Sequence, residues 1–104
     1  MRSECFHSGA MLFEWDPRKA RANLRTHGVD FREAKTVFGD PLAYTVEGPD
    51  QSIYEYRWLT FGESFLGRLL LVSNTERGGR IRIISAREAT SHERKIYAEG
   101  WKGH

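Results

Sequence analysis

The chain has 104 residues, 39% of them hydrophobic and 12% aromatic, which is enough apolar surface for one small core and too little length for a multidomain machine. Apolar runs such as Leu69 to Val72 fall far short of the roughly 20 residues of a membrane span, and the single cysteine, Cys5, excludes an internal disulfide and a zinc site built on thiolates. The 16 basic and 14 acidic residues leave a formal charge of +2, but residues 1–65 hold 8 basic and 10 acidic groups whereas residues 66–104 hold 8 and 4. With no apolar leader, the cytoplasm is the expected setting.

Residues 1–10 show no periodicity and read as a flexible leader before a single domain over 11–104. Met11 to Trp15 reads as a short strand, and Asp16 with Pro17 supplies an N-cap and a first-turn proline for a helix running to about His27. Gly28 ends that helix, and Asp30 caps a second one over Phe31 to Phe38, with Phe31, Ala34, Val37 and Phe38 as its inward stripe. Gly39, Asp40 and Pro41 stop it.

From Leu42 the period changes to two. Strands are expected at Leu42 to Val46, Tyr54 to Phe61, Arg68 to Thr75 and Arg80 to Ala86, with Gly78-Gly79 as a tight hairpin turn. Thr90 and Glu93 form a T-x-x-E capping box, opening a helix with Ile96, Tyr97 and Trp101 on one stripe. The order predicts an α+β fold, two N-terminal helices and a C-terminal helix packed on one face of a four- to five-stranded, mainly antiparallel sheet.

Twelve of the basic residues are arginine, whose planar fork suits phosphate. Lys19, Asn23 and His27 recur every four residues along one helix stripe, either as a polar active stripe or as groups that satisfy loop carbonyls and the helix dipole. Alternation puts Glu55 and Arg57 on one strand face with Leu59 and Phe61, as a surface ion pair or as a carboxylate for proton transfer beside a phosphate-binding guanidinium. Thr75, Arg77 and Arg87 end neighbouring strands. Strict alternation places Arg87 in line with Ile81, Ile83 and Ser85, which is expensive unless it meets a carboxylate or a ligand phosphate. Arg80 and Arg82 fall on the opposite face and with Arg68 offer a phosphate-tracking surface, the competing reading being solvated arginines. Glu93 reads as a cap, with Arg94 paired to it or reaching a partner. The glycines form no phosphate loop, no serine sits in a G-x-S-x-G elbow, and His7, His27, His92 and His104 lack metal-ligand spacing.

The strings F-E-W-D-P-x-K-A-x-x-N at Phe13 to Asn23 and H-G-V-x-F-x-E-A at His27 to Ala34 resemble the opening of the BrnT toxins. V-F-x-D-P at Val37 to Pro41, E-x-R at Glu55 to Arg57, and R-I-I-S-A-R-x-A-T-x-x-E-R-x-x-Y at Arg82 to Tyr97 continue the resemblance in order and spacing. It implies a RelE-like fold, a ribonuclease toxin of a type II toxin-antitoxin pair, no cofactor and no metal, and a DNA-binding, BrnA-like antitoxin that joins it in a hetero-oligomer. The active surface it implies maps onto Lys19, His27, Glu55, Arg57, Arg77 and Arg87; Arg68, Arg80, Arg82 and Arg94 are candidate RNA contacts by their charge and placement alone. Many relatives carry a histidine in the loop before the E-x-R strand, where this chain has Gln51 and Ser52.

Two functions compete at this point. One is RNA cleavage without a metal, the 2′-hydroxyl attacking its own phosphate while Glu55 and His27 exchange protons and the arginines hold the phosphate. The other is a non-catalytic protein whose basic sheet binds RNA or the antitoxin. A stand-alone DNA-binding regulator fits less well, because no helix concentrates base-reading side chains.

Overall fold

The computed structural model describes residues 4–8, 11–48 and 56–100, of which 4–8 are described by their backbone alone. A six-stranded mixed sheet carries the fold. Its strands are β1 (Glu4–Ser8), β2 (Met11–Trp15), β3 (Tyr44–Glu47), β4 (Arg57–Glu63), β5 (Leu69–Arg77) and β6 (Arg80–Glu88), in the spatial order β1-β2-β6-β5-β4-β3. All neighbours are antiparallel except β2 and β6, which run parallel. The helices are α1 (Pro17–His27), α2 (Phe31–Ala34) and α3 (Ser91–Glu99).

Local signals fix most boundaries. The Asp16 carboxylate accepts from the Arg18 N–H at 2.9 Å, Pro17 fills the first turn, and the Gly28 N–H closes α1 on the Leu24 carbonyl. Asp30 caps α2 in the same way. The second helix does not continue to Phe38 as its apolar stripe suggests. It tightens into a 3₁₀ turn over Lys35–Gly39, where the Thr36 hydroxyl donates to the Glu33 carbonyl three residues back at 2.6 Å. Gly78 and Gly79, at φ 58° and 78°, form the two-residue turn that pairs Arg77 with Arg80.

The sheet exceeds the expected four to five strands because Glu4–Ser8 pairs along β2, whereas the sequence reading puts these residues in a flexible leader. Backbone hydrogen bonds satisfy the open edge of β2 without needing a hydrophobic pattern, so periodicity does not reveal this strand. Trp101, expected on the last helix, lies outside the described residues.

The core lies between one sheet face and the layer of α1, α2 and the 3₁₀ turn. Phe13 and Trp15 from β2, Leu70 and Val72 from β5, and Ile83 and Ala86 from β6 meet Val29, Phe31, Ala34 and Val37. Trp15 meets Phe31 edge-on at 5.8 Å between ring centres. Gly62 lets the layer approach closely: a Cβ there would fall 2.7 Å from Val37 Cγ1 and 2.9 Å from Ala43 Cβ.

The third helix is not in this layer, contrary to the expectation of all helices on one face. Residue α3 Glu93 holds Arg87, and Tyr97 donates to Asp40, which ties the helix over the end of the opposite face; none of its residues is buried.

Candidate functional site

The sheet face away from α1 and α2 is built from rows of paired residues. Tyr44, Phe61, Leu71 and Arg87 form one row, Val46, Leu59, Ser73 and Ser85 the next, and Arg57, Thr75, Arg82 and Glu14 the third. Arg87 reaches this face through a bulge. Ser73 pairs with Ser85 and Asn74 with Ile83, so Ile84 is an extra residue on β6 and the alternation reverses beyond it. This corrects the sequence reading twice. Arg87 and Ser85 share no face with Ile81 and Ile83, and Arg80 and Arg82 lie on the same face as Arg87.

A cleft of about 360 Å³ opens over the first rows, lined by His27, Gly48, Arg57, Leu59, Leu71, Ser73, Ser85, Ala86 and Arg87. Leu59 and Leu71 make an apolar floor and the two serines add hydroxyls. At one side Arg87 is held bidentately by Glu93, Nη1 to Oε1 at 2.8 Å and Nη2 to Oε2 at 3.0 Å. The Arg87 hydrogen bonds lower the Glu93 pKa to about 2, against a smaller opposing effect of burial. Glu93 is also the cap foreseen from the sequence, accepting from the Thr90 N–H at 2.8 Å. The carboxylate that makes Arg87 tolerable is therefore Glu93, while Arg94 lies 3.5 Å from Glu88 instead.

His27 comes to the cleft because Asn23, one turn earlier, is fastened to β6. Only Phe13 and Glu14 of β2 pair with β6, so the N–H and C=O of Ala86 lie beyond the reach of that strand. The Asn23 amide takes both: Oδ1 accepts from Ala86 N at 3.0 Å, and Nδ2 donates to Ala86 O at 2.8 Å and to Val29 O at 3.0 Å. Asn23 is buried, as the carbonyl-satisfying reading of the stripe foresees, and by gripping Ala86 it holds the end of α1 beside Ser85 and Arg87.

The other expected residues divide. Lys19 lines an adjoining depression with Asn23, His27 and Ile84 rather than the cleft itself. Arg77 is exposed at the hairpin end of the same face and does not line the cleft. Arg82 and Arg80 lie 2.8 and 3.5 Å from the buried Glu14. Arg68 is not on this surface. Its guanidinium turns under the helical layer to the buried Glu33, 2.9 Å from Nε to Oε2, and to the Gly28 carbonyl and Glu88, so it rivets α2 to the sheet. Arg94 is exposed on α3. Glu55, Gln51 and Ser52 lie outside the described residues. The sequence reading sets Leu59 on the face of Arg57 but misses Ser73 and Leu71 as lining, since their spacing is that of any strand, and misses the grip of Glu93 on Arg87, which no local pattern signals. Among the described residues no three His, Cys, Asp or Glu side chains gather round a point where a metal could sit.

A mixed sheet with α1 and α2 on one face and a cleft lined by Arg57 and Arg87 on the other makes this a small α+β protein. The family model of the BrnT ribonuclease toxins of type II toxin-antitoxin systems matches residues 15–93. The crystal structure of the Brucella abortus ribonuclease toxin BrnT is similar in fold, with a TM-score of 0.55 and 22% identity over 74% of this chain and 94% of that one. No curated protein matches. The chain belongs to the BrnT family of ribonuclease toxins, and a toxin of this kind has an antitoxin as its partner. Among the described residues no helix is long and apolar enough to cross a membrane.

Proposed function

We propose that the protein is an endoribonuclease that needs no metal ion and cleaves RNA in the cleft on the sheet face away from α1 and α2, inhibiting translation and growth in the cytoplasm. The observation that carries this reading is the presence of Arg57, Arg87 and His27 around one cleft floored by Leu59 and Leu71. Two guanidiniums over an apolar floor suit the pentavalent phosphate of the transition state, where fixed positive charge acts most strongly. The 2′-oxygen attacks the phosphorus, the bond to the 5′-oxygen breaks, and the products are a 2′,3′-cyclic phosphate and a 5′-hydroxyl. His27 moves one of the two protons and Glu55 the other. Lys19, Arg77, Arg80, Arg82 and Arg94 guide the strand toward the cleft by charge, Arg80 and Arg82 less strongly because Glu14 offsets them.

The antitoxin partner is BrnA-like and binds DNA, and its inhibitory segment is acidic, seated on this basic face in a hetero-oligomer. Purified protein incubated with a long RNA in excess chelator tests the activity: shortened products ending in cyclic phosphate are expected, and intact RNA at micromolar protein overturns it. One observation favours a second reading, a non-catalytic surface that binds RNA or antitoxin: Glu93 already pairs with Arg87 and offsets its charge. Arg87→Ala separates the two, since an enzyme loses growth inhibition while the antitoxin still binds through the rest of the basic face, whereas a binding surface that depends on Arg87 loses the antitoxin.

A further inference from the structure

The helical layer does not cover its face of the sheet to the end. The 3₁₀ turn stops at Gly39, and beyond Phe38 a recess of about 380 Å³ opens, lined by Phe38, Thr45, Trp58, Asn74, Glu76 and Ile81 among others. It lies on the opposite side of the sheet from the cleft, because Trp58, Thr60 and Asn74 alternate with Arg57, Leu59 and Ser73 along β4 and β5.

Its walls are aromatic. Phe38 packs on Phe13 of the core at 5.2 Å between ring centres, and Trp58 packs on Tyr56 at 5.0 Å. Its floor is polar and directional. The Thr45 and Thr60 hydroxyls share a bond of 2.8 Å, and Asn74 Nδ2 donates to Thr60 Oγ1 and to the Val72 carbonyl, both at 3.0 Å. A carbonyl can only accept, so the nitrogen of the Asn74 amide must lie on the Val72 side. That leaves Oδ1 as an acceptor to which no described residue donates, on a side chain whose residue is only 5% exposed. The exposed Glu76 stands in the lining, and Glu47, opposite Trp58 in the register, accepts from the Tyr56 hydroxyl.

Aromatic faces, an open acceptor and a carboxylate, with no basic residue in the lining, together select a cation that can donate hydrogen bonds. Nucleic acid is disfavoured by sign here, since its phosphates would meet Glu76. An apolar side chain would leave the Asn74 oxygen unmet. A guanidinium satisfies all three features at once, lying flat on an indole while its edge donates to an amide oxygen and a carboxylate, and it sheds water more readily than an ammonium. The recess is also accessible to a second chain, because β3, which contributes Thr45, is the outermost strand of the sheet among the described residues.

We propose that this recess binds an arginine side chain presented by a partner protein, stacked on Trp58, donating to Asn74 Oδ1 and flanked by Glu76. The site is separate from the cleft and stands whether or not the protein cleaves RNA. The test is a nuclear magnetic resonance titration of the intact, nitrogen-15-labelled chain with an acetyl-Gly-Arg-Gly-amide peptide, with matched peptides carrying lysine or norleucine in place of arginine. Saturable shifts of the Trp58 indole and Asn74 side-chain amide signals are expected with arginine, weaker ones with lysine and none with norleucine, while the signals of Ser73 and Ser85 stay in place. Glu76→Lys, at an exposed site that does not threaten folding, should weaken arginine binding by about tenfold. Absence of those shifts at about 10 mM peptide, equal shifts with norleucine, or indifference to Glu76→Lys would each overturn the proposal. So would a short RNA that moves the same two signals more strongly than the arginine peptide does.

Discussion

Arg87 and Glu93 face each other edge to edge, two parallel N–H···O bonds of 2.8 and 3.0 Å joining the last strand to the first turn of α3. The pair fixes the guanidinium at the side of the cleft and makes α3 part of the site. It also makes the stability of the protein depend on pH. The Glu93 carboxyl, ordinarily near 4.5, is lowered to about 2 in the folded state, so its contribution is complete above about pH 5 and is lost as pH falls toward 2. Glu93→Gln should therefore be less stable than the parent by about 1–2 kcal/mol at pH 7, a value discounted for the partly exposed Arg87, and the gap should close by pH 2. Urea unfolding of both chains across this range checks it; a gap that does not change with pH contradicts it.

Asn23 replaces a missing strand. Asn23→Ala removes three hydrogen bonds and leaves the N–H and C=O of Ala86 without a partner, which should cost about 2–4 kcal/mol. Denaturant midpoints measure the loss. Asn23→Asp keeps the acceptor for the Ala86 N–H but sets a carboxylate against two carbonyls, and it should be no more stable than the alanine variant at neutral pH.

The close approach at Gly62 has a similar consequence for packing. Gly62→Ala would push against Val37 and Ala43, so a thermal shift assay should show a loss of about 1–3 kcal/mol despite the small size of the change. Gly39→Ala, where an added Cβ meets nothing within 4 Å, serves as the control and should change stability little.

Arg68 gives a prediction that separates structure from function. Its guanidinium binds Glu33, Glu88 and the Gly28 carbonyl, and Arg68 is the largest cause of the lowered Glu33 pKa, helped by Ser64 and opposed by burial. Arg68→Ala strands a buried carboxylate and should destabilise the fold by about 3 kcal/mol. Arg68→Ala with Glu33→Ala, which removes both charges, should recover part of that loss. A single variant of unchanged stability but weakened RNA binding would restore Arg68 to the RNA-binding surface.

The legible parts of this fold are those written locally. Asp16 with Pro17, Asp30, Gly78-Gly79 and the Thr90–Glu93 box each act within a few residues, and each stands where its residue types require. The face carrying Arg57, Leu59 and Phe61 follows from period two along one strand. The same rule fails at Ile84, because a bulge adds one residue without any change in composition, and everything beyond it, Arg87 included, changes sides. Arg68 with Glu33 lies beyond sequence reasoning for another reason: the partners are 35 positions apart and meet only once the helical layer is seated on the sheet.

In the proposed reaction Arg57 and Arg87 act together on one phosphate in the cleft on the face away from α1 and α2. Cleavage of a long RNA in excess chelator, compared for the parent, Arg57→Lys, Arg87→Lys and the exposed Lys95→Ala at matched folded fraction, decides whether they do. A loss of about a hundredfold or more is expected for each lysine variant, which keeps the charge but not the fork, and a change of less than about threefold for Lys95→Ala. Lysine variants that cleave as fast as the parent would contradict it.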